Sequence, residues 1–174
     1  MPVLFAIAAL IAIVATALAI TRLDAVHALL YLVVSLLAVA LALFALGAPY
    51  LAALEVIIYA GAILVLFVFV TMMLNLGKAG RRQERAWQPG RSWIGPGVLA
   101  ALLLIELAGI LLRAPPRLPV HTIGPEAVGQ SLLGPYVVGV ELASMLLLAG
   151  LVAAYHLGRG LVAKQNTKMK AGAR

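Results

Sequence analysis

Five long apolar runs constrain the fold of this 174-residue chain more than any other feature of its sequence. A helix needs about 20 predominantly apolar residues to cross the hydrocarbon of a bilayer. Backbone polar groups in lipid must bond internally, so each run is predicted to be a transmembrane α-helix. The predicted helices cover residues 2–21, 26–47, 51–76, 93–112 and 135–157. The chain is therefore predicted to be an all-α integral membrane protein, with one membrane domain over residues 1–174.

The composition agrees with lipid as the solvent of this chain. Hydrophobic residues make up 64% of the sequence and charged residues 11%. Soluble globular domains are roughly 45–50% apolar and about 25% charged, so this chain has too little polar surface for water. The first run has no positive n-region and exceeds the roughly 7–15 apolar residues of a signal peptide, which predicts a retained helix. An ordinary soluble enzyme is excluded.

The sequence lacks the residue patterns of common catalytic and metal sites. It has no cysteine, which removes disulfides, iron–sulfur ligands and thiolate metal ligands. Its three histidines, His27, His121 and His156, are scattered, and no two of them have metal-ligand spacing. Glycine-rich phosphate loops, nucleophile elbows and paired catalytic carboxylates are absent as well. We therefore expect no catalytic residue and no metal site in this chain.

Basic residues predict how the helices are oriented across the membrane. The net charge of +7 lies mostly in two clusters beside apolar runs, which indicates membrane-flanking anchors and not a nucleic-acid site. With the N-terminus outside, the inner side holds Arg22, five basic residues in the loop 78–91 and five in the tail 158–174. The outer side holds only Arg113 and Arg117. This bias predicts an external N-terminus and a cytoplasmic C-terminus.

Prolines and glycines predict the connections between the helices. The "GAPY" stretch at 47–50 is typical of a tight turn, and "NLG" at 75–77 of a helix C-terminal cap. The proline-rich stretch 113–119 is predicted to be extended and outside the membrane. Pro125 favours the start of a short helix within 124–133 that leads into the fifth span.

Three acidic residues lie inside predicted spans, namely Glu55, Glu106 and Glu141. An ionisable group in a span costs a few kcal/mol, so it usually faces protein or water and often serves function. The alternative is structural, because an acid one or two turns from an interface can snorkel or pair with a neighbouring cation. Both interpretations stay open for Glu106 and Glu141. The surroundings of Glu55 favour function.

Glu55, Tyr59 and Gly61 form the most informative motif of the sequence. On a regular helix Glu55 and Tyr59 are four residues apart and share a face, where a carboxyl and a phenol could organise water or relay protons. Gly61 weakens the helix, and β-branched residues around it lose rotamer freedom there. These features favour a π-bulge, which often marks functional positions. The alternative is close helix packing through small residues.

These residues also carry a resemblance to a known family. The stretch "LEVIIYAGAILVLFVFVTMMLNL" at 54–76 resembles the third helix of the NuoJ-type subunit of respiratory complex I, the proton-pumping NADH-quinone oxidoreductase. Residues 24–55 resemble the preceding helix and turn of that family, and residues 136–159 its last helix. The resemblance spans most of residues 22–160.

The resemblance implies a role that the composition does not show. The chain would be a non-catalytic membrane-arm subunit of a bacterial inner-membrane translocase, beside NuoA-, NuoK-, NuoN- and NuoH-type subunits. It would hold no redox cofactor, with NADH, FMN, iron–sulfur clusters and quinone in partner subunits. The family's π-bulge would lie from Tyr59 to about Val65. Its relaxation to α-helix would gate a water and proton path, with Glu55, Tyr59 and Gly61 as site residues and Glu106 and Glu141 as further intramembrane acids.

Two other classes of function compete with this interpretation. Three intramembrane acids would also suit a free-standing small proton- or ion-coupled transporter, although the sequence shows none of the internal repeats that many transporters have. A structural or assembly scaffold of a membrane complex is the third class, in which the acids only dock neighbours.

Overall fold

The computed structural model describes residues 2–22, 25–73, 93–112 and 122–172 of the chain. Every regular element in these residues is helical, and five helices are long and apolar enough to cross a membrane. The predicted all-α fold with five membrane-spanning helices is therefore confirmed. The predicted loop 78–91, the cap at 75–77 and the proline-rich stretch 113–119 lie outside the described residues.

Six helices follow one another in the described residues. The third helix, α3, consists of an α-helical piece Pro49–Leu54, a π-helical piece Glu55–Ile63 and an α-helical piece Leu64–Met73. The others are α1 (Pro2–Thr21), α2 (Ala25–Ala45), α4 (Ile94–Leu112), α5 (Pro125–Leu133) and α6 (Val137–Gly172). The short helix predicted within 124–133 is thus present as α5.

A tight turn separates α2 from α3. Gly47 has φ 86°, a left-handed conformation that glycine adopts without a steric penalty. The last residue of α2 is Ala45, two residues before the predicted end of this helix. Pro49 begins α3 because its fixed φ suits the first helical turn. The turn lets α3 fold back against α2.

The first compact unit, Met1–Gly124, is built on the packing of α1, α2 and α4. Its buried core consists of Ile11 and Ala15 from α1, Val34 and Ala38 from α2, and Leu103 from α4. Ala15 and Ala38 are fully buried, so the helix backbones approach closely at small side chains, as is common between helices in membranes.

Contacts at the two ends of this unit agree with alternating helix directions. At one end the Ile123 N–H donates to the Gly47 carbonyl oxygen over 2.9 Å, which joins the α2–α3 turn to the chain after α4. At the other end the His27 ring meets the Trp93 ring edge-on, with centroids 5.8 Å apart. The start of α2 and the start of α4 therefore lie at the same end, as alternating spans require. Which end is cytoplasmic stays a prediction.

The second compact unit, Pro125–Arg174, contains α5 and α6. A turn over residues 134–136 joins them, closed by a bond from the Tyr136 N–H to the Ser131 carbonyl oxygen at 3.1 Å. The predicted last helix ends at Leu157, but α6 continues to Gly172. Nine of the fifteen residues 158–172 are lysine, alanine, arginine, leucine, glutamine or methionine, and their helix propensity carries the backbone past the apolar run.

Candidate functional site

The π-helical piece of α3 is the candidate functional site. It covers Glu55–Ile63, and the Leu64 N–H that follows it donates to the Tyr59 carbonyl oxygen, five residues back. The prediction of π winding in the third helix is confirmed. Its position differs from the predicted Tyr59 to about Val65, because the π piece begins four residues earlier and ends at Ile63. The winding therefore includes Glu55 itself.

Local sequence explains why α winding is weak at this place. Val56, Ile57 and Ile58 are three consecutive β-branched residues, whose side chains lose rotamer freedom against the preceding turn of an α-helix. Gly61 adds the backbone freedom of a residue without a side chain. A Cβ at this position would lie 3.1 Å from the Val56 carbonyl oxygen, tighter than an ordinary contact. A larger residue at 61 would therefore require the backbone of the π piece to shift.

The π piece collects the three predicted site residues on one short segment. Glu55 is half-buried, Tyr59 is 52% exposed, and Gly61 is exposed. In the described part of the chain, no hydrogen bond joins the Glu55 carboxyl to the Tyr59 hydroxyl. Both polar groups are thus available to water or to a neighbouring molecule. The predicted relay between them stays a prediction.

The other two acids occupy different surroundings. Glu106 is 8% exposed and lies on the face of α4 that carries Leu99 and Leu103 towards α1 and α2. Neither of its carboxyl oxygens has a hydrogen-bond partner among the residues that the structure describes. Glu141 is exposed on α6, and its backbone carbonyl accepts a 2.7 Å hydrogen bond from the Ser144 hydroxyl. Glu106 therefore does not join the π piece in one site, and Glu141 belongs to the second compact unit.

A polar stripe along α2 was not predicted from the sequence. Its members His27, Tyr31 and Ser35 are each buried and follow one another at intervals of four residues. Ser35 and Thr16 share a 2.6 Å hydrogen bond, and the Ser35 hydroxyl also lies 3.1 Å from the Ala12 carbonyl oxygen. The spacing of four residues is visible in the sequence and indicates one helix face, so this stripe could have been found.

The start of α2 also forms an aromatic and cationic contact with its neighbours. The Arg22 guanidinium lies 5.2 Å from the centre of the Tyr31 ring and donates to its hydroxyl over 3.5 Å. A Cβ at Gly95 of α4 would overlap the Tyr31 hydroxyl, so the glycine leaves room for the ring. These contacts fix one end of the α1–α2–α4 packing. Neither they nor the rest of the described chain contain a group of three side chains that could hold a metal ion.

Comparisons with known proteins agree on one family. Residues 15–157 match the family described as NADH-ubiquinone/plastoquinone oxidoreductase chain 6. The chain is 57% identical over 157 residues to NADH-quinone oxidoreductase subunit J of Pseudomonas aeruginosa, covering 89% of this chain and 95% of the relative. It is 54% identical over 156 residues to the subunit J of Escherichia coli strain K12, covering 89% and 85%. The subunit J of Buchnera aphidicola subsp. Schizaphis graminum is 44% identical over 160 residues, covering 91% and 98%.

Proposed function

This chain belongs to the NADH-ubiquinone/plastoquinone oxidoreductase chain 6 family, and we propose that its third helix gates a proton path in the NADH-quinone oxidoreductase of which it is a multi-pass membrane subunit. The gate couples quinone reduction to proton translocation. The observation that supports it is the π winding of Glu55–Ile63, which holds Glu55, Tyr59 and Gly61 on one segment without buried residues.

A change of winding supplies the motion of the gate. π and α winding differ in whether an N–H bonds to the carbonyl five or four residues back. Converting the π piece to α winding adds one residue's worth of turn, so the α-helical piece Leu64–Met73 rotates by about 100° relative to the start of α3. The aromatic and branched side chains of residues 65–70 in that piece are exposed, so the rotation changes which of them meets a neighbour.

The polar side chains give the gate its proton chemistry. The Glu55 carboxyl accepts or donates a proton, and the Tyr59 hydroxyl both donates and accepts hydrogen bonds. Because both side chains reach the surface of the chain, they can order water between this subunit and the next. When the change between π and α winding moves Tyr59, the chain of ordered water molecules forms or breaks. The chain's own part is to hold the water path, while NADH, FMN, iron–sulfur clusters and quinone belong to partner subunits.

Large apolar surfaces support assembly with other subunits of the complex. Many large hydrophobic side chains of α3 and α6 are exposed, among them Phe67, Phe69 and Leu147. In a membrane such surfaces face lipid or another subunit. We place NuoA-, NuoK-, NuoN- and NuoH-type subunits beside this chain, in the inner membrane of a bacterium. Relatives that are named as oxidoreductase subunits favour this role over a free-standing transporter or a scaffold.

The winding of α3 in the whole complex tests the gate. Structures of the assembled enzyme in a resting state and during turnover should show π winding near Glu55–Ile63 in one state and α winding in another. The same π winding in both states, together with normal turnover of a Gly61→Leu variant, would show that the segment is a fixed irregularity and not a gate.

A further inference from the structure

Within the described part of the chain, Glu106 is buried without any polar partner. Its side chain is 8% exposed, and the chain's own atoms close both carboxyl oxygens off from the surroundings. Neither oxygen accepts or donates a hydrogen bond. Buried polar groups in proteins are nearly always hydrogen-bonded, so an acid in this condition requires an explanation.

The helices packed around Glu106 supply no cation to it. α1 carries no ionisable side chain, and Glu106 is the only ionisable residue of α4. On α2 the ionisable groups are His27 and Tyr31, near the opposite end of the interface. Tyr31 meets α4 at Gly95, which lies eleven residues before Glu106, or about 16 Å along the axis. Glu55 of α3, which also packs on α2, makes no hydrogen bond to Glu106.

A docking role does not fit this geometry. A carboxyl that docks a neighbouring subunit must present an oxygen to it, and the oxygens of Glu106 are covered within this chain. A role in packing does not fit either, because an apolar side chain of similar volume would fill the space between α1, α2 and α4 without burying a polar group. What distinguishes Glu106 from such a side chain is its ability to bind a proton.

We propose that Glu106 is a proton-carrying site enclosed within this chain, filled and emptied when α4 separates from α1 and α2 around Glu106, at the end of the interface away from the Gly95–Tyr31 contact. The inference rests on the proposed proton translocation, but not on a winding change in α3. On opening, hydronium reaches the carboxylate, and one carboxylate oxygen binds its proton and leaves water. In the reverse step water takes the proton and becomes hydronium, so only O–H bonds form and break. On closing, the neutral acid is sealed in the apolar core beside Leu103.

Substitutions at Glu106 in the assembled enzyme test this site. Glu106→Leu removes the proton-binding group and also the buried polar atoms, so it should assemble. Coupled NADH oxidation and proton uptake by proteoliposomes should then fall by roughly tenfold, since a group positioned for proton transfer contributes at least that much. Glu106→Asp keeps an acid and should retain more of the coupled rate than Glu106→Gln. Leu103→Met, which changes the same interface but no ionisable group, should leave the rate unchanged.

Two results would overturn the proposal. One is an assembled Glu106→Leu enzyme with normal coupled turnover and proton uptake. The other is loss of assembly in both the leucine and glutamine variants, which would assign the carboxyl a structural role. A Glu55→Gln variant separates this inference from the proposed gate. If the gate proposal is wrong and the Glu106 proposal is right, pumping is normal in Glu55→Gln and impaired in Glu106→Leu.

Discussion

Two regions of the first compact unit place the same kind of residue in opposite surroundings. In the π piece of α3, Glu55 is half-buried on an irregular helix whose side chains mostly face outward. In the interface of α1, α2 and α4, Glu106 is buried among regular helices and small side chains. Both acids sit in apolar runs of similar hydrophobicity. The difference shows that winding and helix face, not the apolar run itself, decide whether an intramembrane acid can meet water.

The interface of α1, α2 and α4 should be sensitive to a single added methyl group. In Gly95→Ala, the new Cβ would overlap the hydroxyl of Tyr31, a buried ring that Arg22 holds in place. Overpacking of this kind costs about 1–3 kcal/mol, so the assembled complex should dissociate at a lower temperature. The measurement is the fraction of intact complex that remains after heating.

A methyl group added elsewhere on the same helix is the control. A Cβ at Gly109 meets nothing within 4 Å, so Gly109→Ala should be neutral or slightly stabilising, because alanine favours a helix by about 1 kcal/mol over glycine. Tyr31→Phe combined with Gly95→Ala should recover part of the lost stability. Equal heat stability of the Gly95→Ala and Gly109→Ala complexes would contradict the difference between the two positions.

A substitution in the π piece should change the turnover rate of the complex and not its assembly. Gly61→Leu adds a large side chain where even a Cβ lies 3.1 Å from the Val56 carbonyl oxygen, so it should favour one winding over the other. We expect quinone reduction coupled to pumping to fall by roughly tenfold, which corresponds to about 1.4 kcal/mol between the two windings. Coupled rates are measured on complexes with a normal content of this subunit. A normal rate would reduce Gly61 to a packing residue.

The acid of the π piece should affect proton movement more than stability. Glu55→Gln keeps the shape of the side chain but cannot exchange a proton, so protons pumped per NADH oxidised should fall by roughly twofold or more. The half-buried position of Glu55 tolerates the amide, and the complex should assemble normally. Unchanged pumping would leave Glu55 with a structural role. Tyr59→Phe, which removes only the hydroxyl, should give a milder defect.

The smallest effect is expected from a substitution in the polar stripe of α2, at the interface of α1, α2 and α4. Ser35→Ala removes the 2.6 Å bond to the Thr16 hydroxyl and the contact with the Ala12 carbonyl oxygen. Hydrogen bonds between helices in membranes contribute about 0.6 kcal/mol, so heat stability should drop slightly and turnover should not change. A turnover defect in Ser35→Ala would show that the stripe takes part in function.

The five spans could be predicted from the sequence because membrane crossing requires only length and apolarity. The π winding could be predicted because Gly61 interrupts a β-branched run, but its start at Glu55 could not. Winding depends on which carbonyl each N–H selects over a whole turn, and single residues do not reveal that choice. The burial of Glu106 could not be predicted either, since α4 is apolar on all sides and its sequence does not indicate which face meets α1 and α2.

The most direct test follows α3 and α4 together in the intact enzyme. Cryo-electron microscopy of the wild-type complex, at rest and during turnover, should show the segment Glu55–Ile63 in π winding in one state and α winding in the other. Between those states the Leu64–Met73 piece should rotate by about 100°, while the Gly95–Tyr31 contact stays in place. An α3 with the same winding and the same rotation in every state would contradict the gate.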